Sequence, residues 1–217
     1  MNIEQARFNM IEQQIRTWDV LDQDVLNLLS KVRREEFVPQ TYRTLAFVDM
    51  EIPLGHGEVM MQPKMEARII QELAIQKTDK ILEIGTGSGY LTALLAHQGH
   101  HVHSVDIAPE FKTRSEAKLR AHGFNNVSLE VGDAAAGWSR HGPYDVIVLT
   151  GSTPVLPDMF KHDLKRGGRL FAIVGDAPTM HAKLITCVAP GAYNSVTLFE
   201  TSVNPLINAL QPERFVF

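Results

Sequence analysis

Cysteine is nearly absent. Cys187 stands alone in 217 residues, which excludes an intramolecular disulfide and makes a reducing compartment the default. It falls in the strand-like segment 183–188 and reads as a small core residue. Long apolar runs are missing as well, and no stretch reaches the ~20 residues a membrane helix requires. Clustered positive charge is the third absence. The 21 Lys and Arg are outnumbered by 25 Asp and Glu, for a net charge of -4, with no basic tail or like-charge block. Nucleic acid is therefore not expected as a partner, because phosphate binding needs grouped Lys and Arg. The opening Met1-Asn2-Ile3-Glu4-Gln5 carries neither the basic start nor the apolar core of a secretory signal, so the expected location is cytoplasmic. There is no internal repeat and no low-complexity tract. What is left, 44% hydrophobic and 21% charged, is ordinary globular usage. The chain is long enough to bury a substantial core, and one domain over residues 1–217 is expected.

Nine histidines are present, and His97, His100, His101 and His103 crowd together. They cross a helix end, a turn and the start of a strand, with no i, i+4 pair on one helix face and no cysteine beside them. That is not a metal-ligand spacing. They are expected to be a solvated helix end, where cationic side chains suit the dipole, and no metal site is expected.

Two zones differ in pattern. From about residue 78, short apolar runs alternate with helical periodicity. Strands are expected at 80–84, 101–106, 127–131, 144–149 and 169–174. Helices are expected at 90–98 and at 109–122, the latter with Pro109 in its first turn, and a short one at 157–164. Two closing strands, 183–188 and 195–200, flank a turn at Pro190-Gly191. Such alternation implies an α/β fold, a mostly parallel twisted sheet with helices on both faces. Residues 1–77 read instead as a helical extension. Apolar spacing predicts helices over 3–16 and 22–32, the second capped by Asp22. An irregular stretch at 49–63 leads into a helix over 64–73, and a loop of this kind often carries substrate contacts. The apolar faces of 1–32 fit either the sheet or a second chain, so oligomeric state stays open.

The run Ile81-Leu82-Glu83-Ile84-Gly85-Thr86-Gly87-Ser88-Gly89-Tyr90 reads as strand, tight turn, helix. Its glycines let a cofactor lie against bare backbone at the carboxyl end of a parallel strand. The dinucleotide fingerprint is G-x-G-x-x-G; here the spacing is G-x-G-x-G, preceded by Glu83. A carboxylate at that point suits a cationic cofactor, can order the loop, and would repel a pyrophosphate. The pattern resembles the first motif of S-adenosylmethionine-dependent methyltransferases. Asp106, 23 residues past Glu83, closes the next strand, where an acid takes the ribose hydroxyls. Asp133, after the third strand in Gly132-Asp133-Ala134, fits an adenine amino group in that pattern. The cofactor-binding set expected from these strand ends is Glu83, Gly85, Thr86, Gly87, Ser88, Gly89, Asp106, Ile107, Asp133 and Ala134, with S-adenosyl-L-methionine as cofactor. Asp106 and Asp133 also fit plain turn-forming residues when taken singly.

The N-terminal zone is similar to protein-L-isoaspartate O-methyltransferases. The matching pieces are Met10-Ile11-Glu12-Gln13-Gln14-Ile15, Val20-Leu21-Asp22, Val25-Leu26, Val32-Arg33-Arg34-Glu35-Glu36-Phe37-Val38-Pro39, Ala46-Phe47-Val48-Asp49, Ile52-Pro53-Leu54-Gly55-His56-Gly57 and Gln62-Pro63. The ending Glu213-Arg214-Phe215-Val216-Phe217 resembles that family's closing segment, so the likeness spans nearly the whole chain. It implies a Rossmann-like methyltransferase fold and carboxyl methylation of isoaspartyl residues in damaged proteins, whose esters return through a succinimide toward aspartate. The implied partners are isoaspartyl proteins or peptides. The resemblance also implies substrate contacts at Gly57, Val59, Gln62 and Thr150, with Met61 at the place of the family's active-site Ser.

The chain departs from the family at this loop. The family pattern Gly-x-Thr-x-Ser-x-Pro becomes Gly57-Glu58-Val59-Met60-Met61-Gln62-Pro63, and neither Val59 nor Met61 donates a hydrogen bond. One lost donor to a carboxylate costs about 1.5–3 kcal/mol. After the fourth core strand, Leu149-Thr150-Gly151-Ser152-Thr153-Pro154 replaces a more apolar loop. There Ser152 or Thr153 is a candidate displaced hydroxyl, against the reading of an ordinary polar loop. Three readings follow. The first is an isoaspartyl methyltransferase with an altered loop. The second is a family member with another acceptor. The third is a cofactor-binding protein without catalysis.

Overall fold

The computed structural model describes residues 2–213. Helix α1 (Ile3–Met10) begins under an Asn2 cap and continues through a wider turn at Ile11–Ile15 and a tighter one at Arg16–Trp18. The expected helix over 3–16 is thus present in extent but changes pitch after Met10, and Met10, Ile11 and Ile15 are all buried. Helix α2 (Gln23–Lys31) starts at Asp22, whose side chain accepts from the Asp24 and Val25 amides as expected. Short turns at Arg34–Glu36 and Gln40–Leu45 follow.

The stretch expected to be irregular is a hairpin. Strands β1 (Ile52–Gly55) and β2 (Glu58–Met60) pair antiparallel, Ile52 opposite Met60. The two residues between them, His56 (φ +57°) and Gly57 (φ +80°), are both left-handed, the conformation a tight hairpin turn demands. Glycines and prolines masked the strand pattern. Helix α3 (Pro63–Leu73) then carries the chain to the sheet.

The sheet alternates as expected: β3 (Lys80–Ile84), α4 (Tyr90–Gln98), β4 (His101–Asp106), α5 (Pro109–Ala121), β5 (Val127–Val131), β6 (Tyr144–Thr153), α6 (Asp158–His162), β7 (Leu164–Asp176), β8 (Thr179–Ala189) and β9 (Ala192–Thr201). Its order is β5-β4-β3-β6-β7-β8-β9. Strands β3 to β7 run parallel, while β8 and β9 return antiparallel. Chain order reverses at β3, so the crevice beyond its carboxyl end is where an open α/β sheet binds ligands. Strand β6 outruns its expected end at Leu149. A register shift between Val148 and Ser152 lets it continue beside β7, and Ser152 exchanges backbone hydrogen bonds with Asn204 and Leu206. Segment 150–153 is therefore strand, not the expected loop.

Apolar side chains fill both sheet faces. On one, Ile15, Leu26, Leu29, Ile69, Ile70 and Leu73 share a core with Ile81, Val102, Val146 and Phe171. The N-terminal zone thus packs on the sheet. On the other, Leu82, Ile84, Val105, Ile147, Leu149 and Leu170 meet Phe160 and Leu164, and Cys187 is buried there. The crowded histidines are not all at a helix end. His101 and His103 lie on β4, where His103 stacks on His141 with ring centroids 4.2 Å apart. Ligating atoms of His103, Glu130 and His141 fall within 4.8 Å of one another. The His141 ring already bonds Glu130 at 2.6 Å, and Arg140 holds the other Glu130 oxygen at 2.8 Å. No helix among the described residues is long and apolar enough to cross a membrane.

Candidate active site

The carboxyl ends of β3, β4, β5 and β6 open into one cleft. Its floor is Ile84–Ser88, Val105–Ala108, Gly132–Ala135, Thr150 and Gly151. The β1–β2 hairpin with Met61, and residues 203–207, close the other sides. The glycine turn forms because its backbone adopts angles that side chains disfavour. Gly85 has φ +96°, and a Cβ there would lie 2.1 Å from the Thr150 hydroxyl. That hydroxyl is occupied, donating to the Ile84 and Gly85 carbonyls at 2.8 and 3.0 Å. Gly89 (φ +82°) brings the turn against Ser115, whose hydroxyl donates to the Gly87 carbonyl at 2.8 Å.

Asp106 sits at the lip of this turn, 7% exposed. One carboxylate oxygen accepts from the Gly87 amide and the other from the Ala108 amide, each at 2.9 Å. The acid thereby locks the loop while keeping lone pairs toward the cleft. Asp133 is exposed, accepting from Ala135 N at 3.1 Å and from the Asn208 amide at 2.8 Å. Of the residues expected around a cofactor, Gly85, Thr86, Gly87, Ser88, Asp106, Ile107, Asp133 and Ala134 line the cleft.

Glu83 and Gly89 do not line it. Glu83 is fully buried beneath the turn. Its Oε2 accepts from Thr92 at 2.5 Å and from Ser104 at 2.6 Å, and Ser104 in turn meets the Thr86 hydroxyl at 2.6 Å. Burial pushes its carboxyl up to about 8, against those hydrogen bonds, with Asp106 adding to the rise. Its Oε1 has no hydrogen-bond partner among the described residues. Of the two roles the sequence suggests for this acid, the geometry matches ordering the loop from below.

On the opposite wall Val59 and Met61 line the cleft, as Thr150 does on the floor; Gly57 and Gln62 do not. Met61 is 8% exposed, and its carbonyl accepts from Arg34 Nη2 at 2.7 Å. Arg34, itself buried, also donates to the Ala46 carbonyl at 3.0 Å and pairs with Glu66. Burial lowers its pKa to about 10, still cationic at neutral pH. The wall is thus pinned from behind by an ion pair out of water. Ser152 and Thr153 are fully buried and donate to the Val203 and Val155 carbonyls. Neither lines the cleft.

Sequence reasoning missed part of the lining. Glu51, His56, Glu58, Glu66 and Phe111 line the cleft, as do residues 203–207. The glycine motif and the strand-end acids do not mark these: the hairpin, α3, α5 and the bridge from Ser152 to Pro205 bring them in only on folding.

Comparison with known proteins decides what this cleft belongs to. The sequence model of the protein-L-isoaspartate(D-aspartate) O-methyltransferase family matches residues 5–200. The chain belongs to this family. A relative named protein-L-isoaspartate O-methyltransferase from Gloeobacter violaceus is 36% identical over 91% of this chain and 96% of its own length. Another, protein-L-isoaspartate O-methyltransferase 2 from an Anaeromyxobacter species, is 33% identical over 98% of this chain and 83% of its own. A Plasmodium falciparum structure, titled a putative family member in complex with S-adenosyl-L-homocysteine, shares the fold. Its TM-score is 0.78 at 19% identity, over 95% of this chain and 98% of that one. Membership makes the chain an S-adenosylmethionine-dependent O-methyltransferase, as the glycine spacing implies.

Proposed function

We propose that this methyltransferase esterifies the side-chain carboxylate of L-isoaspartyl residues in damaged proteins. The observation that carries the reading is the closure of one cleft by two surfaces. The 85–88 turn and the strand-end acids form its floor, and the hairpin with Met61, in the segment similar to the family's acceptor loop, forms its wall. Gly85, Thr86, Gly87, Ser88, Asp106, Ile107, Asp133 and Ala134 hold S-adenosylmethionine, Glu83 and Gly89 shaping the turn they stand in. The nucleoside contacts fall to Asp106 and Asp133. When bound, the cofactor supplies a methyl group on a sulfonium that needs no further activation. An ionised carboxylate has no proton to remove, so no side chain here serves as general base. The residues contribute alignment of the acceptor oxygen, worth up to ~7–11 kcal/mol in ideal systems.

Val59 and Met61 offer the acceptor no hydroxyl, so backbone amides of the 57–62 loop, shaped by Gly57 and Gln62, hold the carboxylate. Thr150 contributes position rather than a donor, its hydroxyl being spent on Ile84 and Gly85. One observation favours a second reading, a different methyl acceptor: the Met61 thioether and Val59 isopropyl groups offer no donor where a carboxylate seeks one. The test is transfer of labelled methyl from S-adenosylmethionine to an isoaspartyl peptide, with the aspartyl peptide as control. Transfer to the isoaspartyl peptide alone is expected. No transfer by folded, cofactor-binding protein would move the assignment to the second reading.

A further inference from the structure

Five carboxylates line the cleft, those of Glu51, Glu58, Glu66, Asp106 and Asp133, and among the lining residues there is no Lys or Arg. Three of the five are accounted for. Glu66 pairs with Arg34, Asp106 binds two backbone amides, and Asp133 binds an amide and Asn208. Glu51 and Glu58 have no ion-pair or hydrogen-bond partner among the described residues, and both are half-buried. Their places are informative. Glu58 opens β2. Glu51 precedes β1, one step beyond the Ile52–Met60 pair, and lines the same cleft as Met61, at the acceptor position. Among the described residues, the cations close to this wall face elsewhere. Arg34 is spent on Glu66 and two carbonyls, Lys64 pairs with Asp49 at 2.7 Å, and Arg114 holds the Leu54 carbonyl from outside the cleft.

We infer that Glu51 and Glu58 select the sequence around the methylated residue, favouring isoaspartyl sites flanked by lysine or arginine and disfavouring those flanked by acids. This rests on the isoaspartyl reading above. The acceptor is itself an anion entering an anionic wall, and a flanking cation offsets that repulsion where the described lining residues supply none. Charges at a partly exposed rim act mainly on encounter and on discrimination between partners, and they are screened by salt. Burial already pushes both carboxyls up, Glu58 with help from Asp106. A neighbouring cation relieves that cost.

The experiment uses two isoaspartyl peptides, identical except for two lysines or two glutamates on each side of the isoaspartate. It has two readouts: kcat/KM for labelled methyl transfer, and fluorescence anisotropy of binding to the protein loaded with S-adenosyl-L-homocysteine. Expected is a preference of about tenfold for the lysine-flanked peptide at low ionic strength, shrinking as salt is added. In Glu51→Gln/Glu58→Gln, shown to be folded by its melting curve, the preference should fall to within about twofold. Equal or reversed preference overturns the inference, as does a preference that survives in the double variant. Lysine-favoured binding without methyl transfer supports the selectivity while overturning the isoaspartyl chemistry. Transfer indifferent to the flanks does the reverse. Binding of neither peptide overturns both.

Discussion

Asp106 holds the Gly87 and Ala108 amides and faces the cleft. Its replacement removes a loop lock and, on the proposed reading, a nucleoside ligand. Asp106→Ala should weaken S-adenosyl-L-homocysteine binding about ten- to a hundredfold, the worth of one charge-assisted hydrogen bond; unchanged calorimetric affinity would remove the residue from the site. Met61→Ser restores a hydroxyl on the acceptor wall. It should raise turnover of an isoaspartyl peptide about tenfold and cost some stability, since Met61 is part of the core. No gain in rate would show that backbone amides already suffice. Glu83 gives a pH signature. With its folded pKa pushed up to about 8 and its unfolded value ordinary at about 4.3, the folded chain keeps a proton that the unfolded chain releases. That contribution to stability is complete below the unfolded pKa and is lost as pH rises through about 8. Glu83→Gln cannot lose the proton, so its melting temperature should fall less than the parent's between about pH 6 and about pH 9. Parallel curves would contradict the shift.

The glycine turn and the hairpin are the elements that make the cleft. Gly85→Ala forces a Cβ into the Thr150 hydroxyl at a φ of +96°, and such backbone strain costs about 1–3 kcal/mol. The variant should melt lower and bind S-adenosyl-L-homocysteine about tenfold or more weakly. Adding Thr150→Ala removes the contact but not the φ strain, so rescue should be partial; full rescue would show that only the contact mattered. This turn was legible in the sequence because its requirements are local: three glycines at fixed spacing between a buried strand and a helix. The hairpin was not, because its strands are four and three residues long and its turn uses His56 at positive φ, which no composition rule signals. Strand β6 was cut short for a related reason. Thr150–Thr153 are polar and read as loop, yet they stay in the sheet by pairing with β7 and with residues 204–206.

At the scale of the molecule, the N-terminal zone is part of the core rather than a detachable lid. Met10, Ile15, Leu26 and Leu29 pack with Ile81, Val102 and Phe171, and Arg34 ties the acceptor wall to α3 through Glu66. Removing residues 1–32 should therefore abolish cooperative melting, because it leaves the sheet face bare and exposes a large apolar surface. A truncated chain with a sharp transition near the parent's would show the sheet to be self-sufficient. Of the family's closing segment, residues 214–217 lie outside the described part of the chain.

The sequence by itself determined the alternating β/α order, the parallel core strands, the Asp22 cap and the glycine turn with its strand-end acids. Each depends on side-chain period and on backbone freedom within a few residues. Tertiary structure alone decided that Glu83 lies under the turn and not in the cleft. It also decided that Ser152 and Thr153 are buried in a strand extension, and that Glu51 and Glu58 stand on the cleft wall with no partner among the described residues. Those facts depend on which distant segments meet: β4 supplies Ser104 to Glu83, residues 203–206 engage Ser152, and the hairpin brings Glu51, Glu58 and Met61 to one cleft. Burial and charge compensation are set by neighbours in space, and a linear pattern does not carry them.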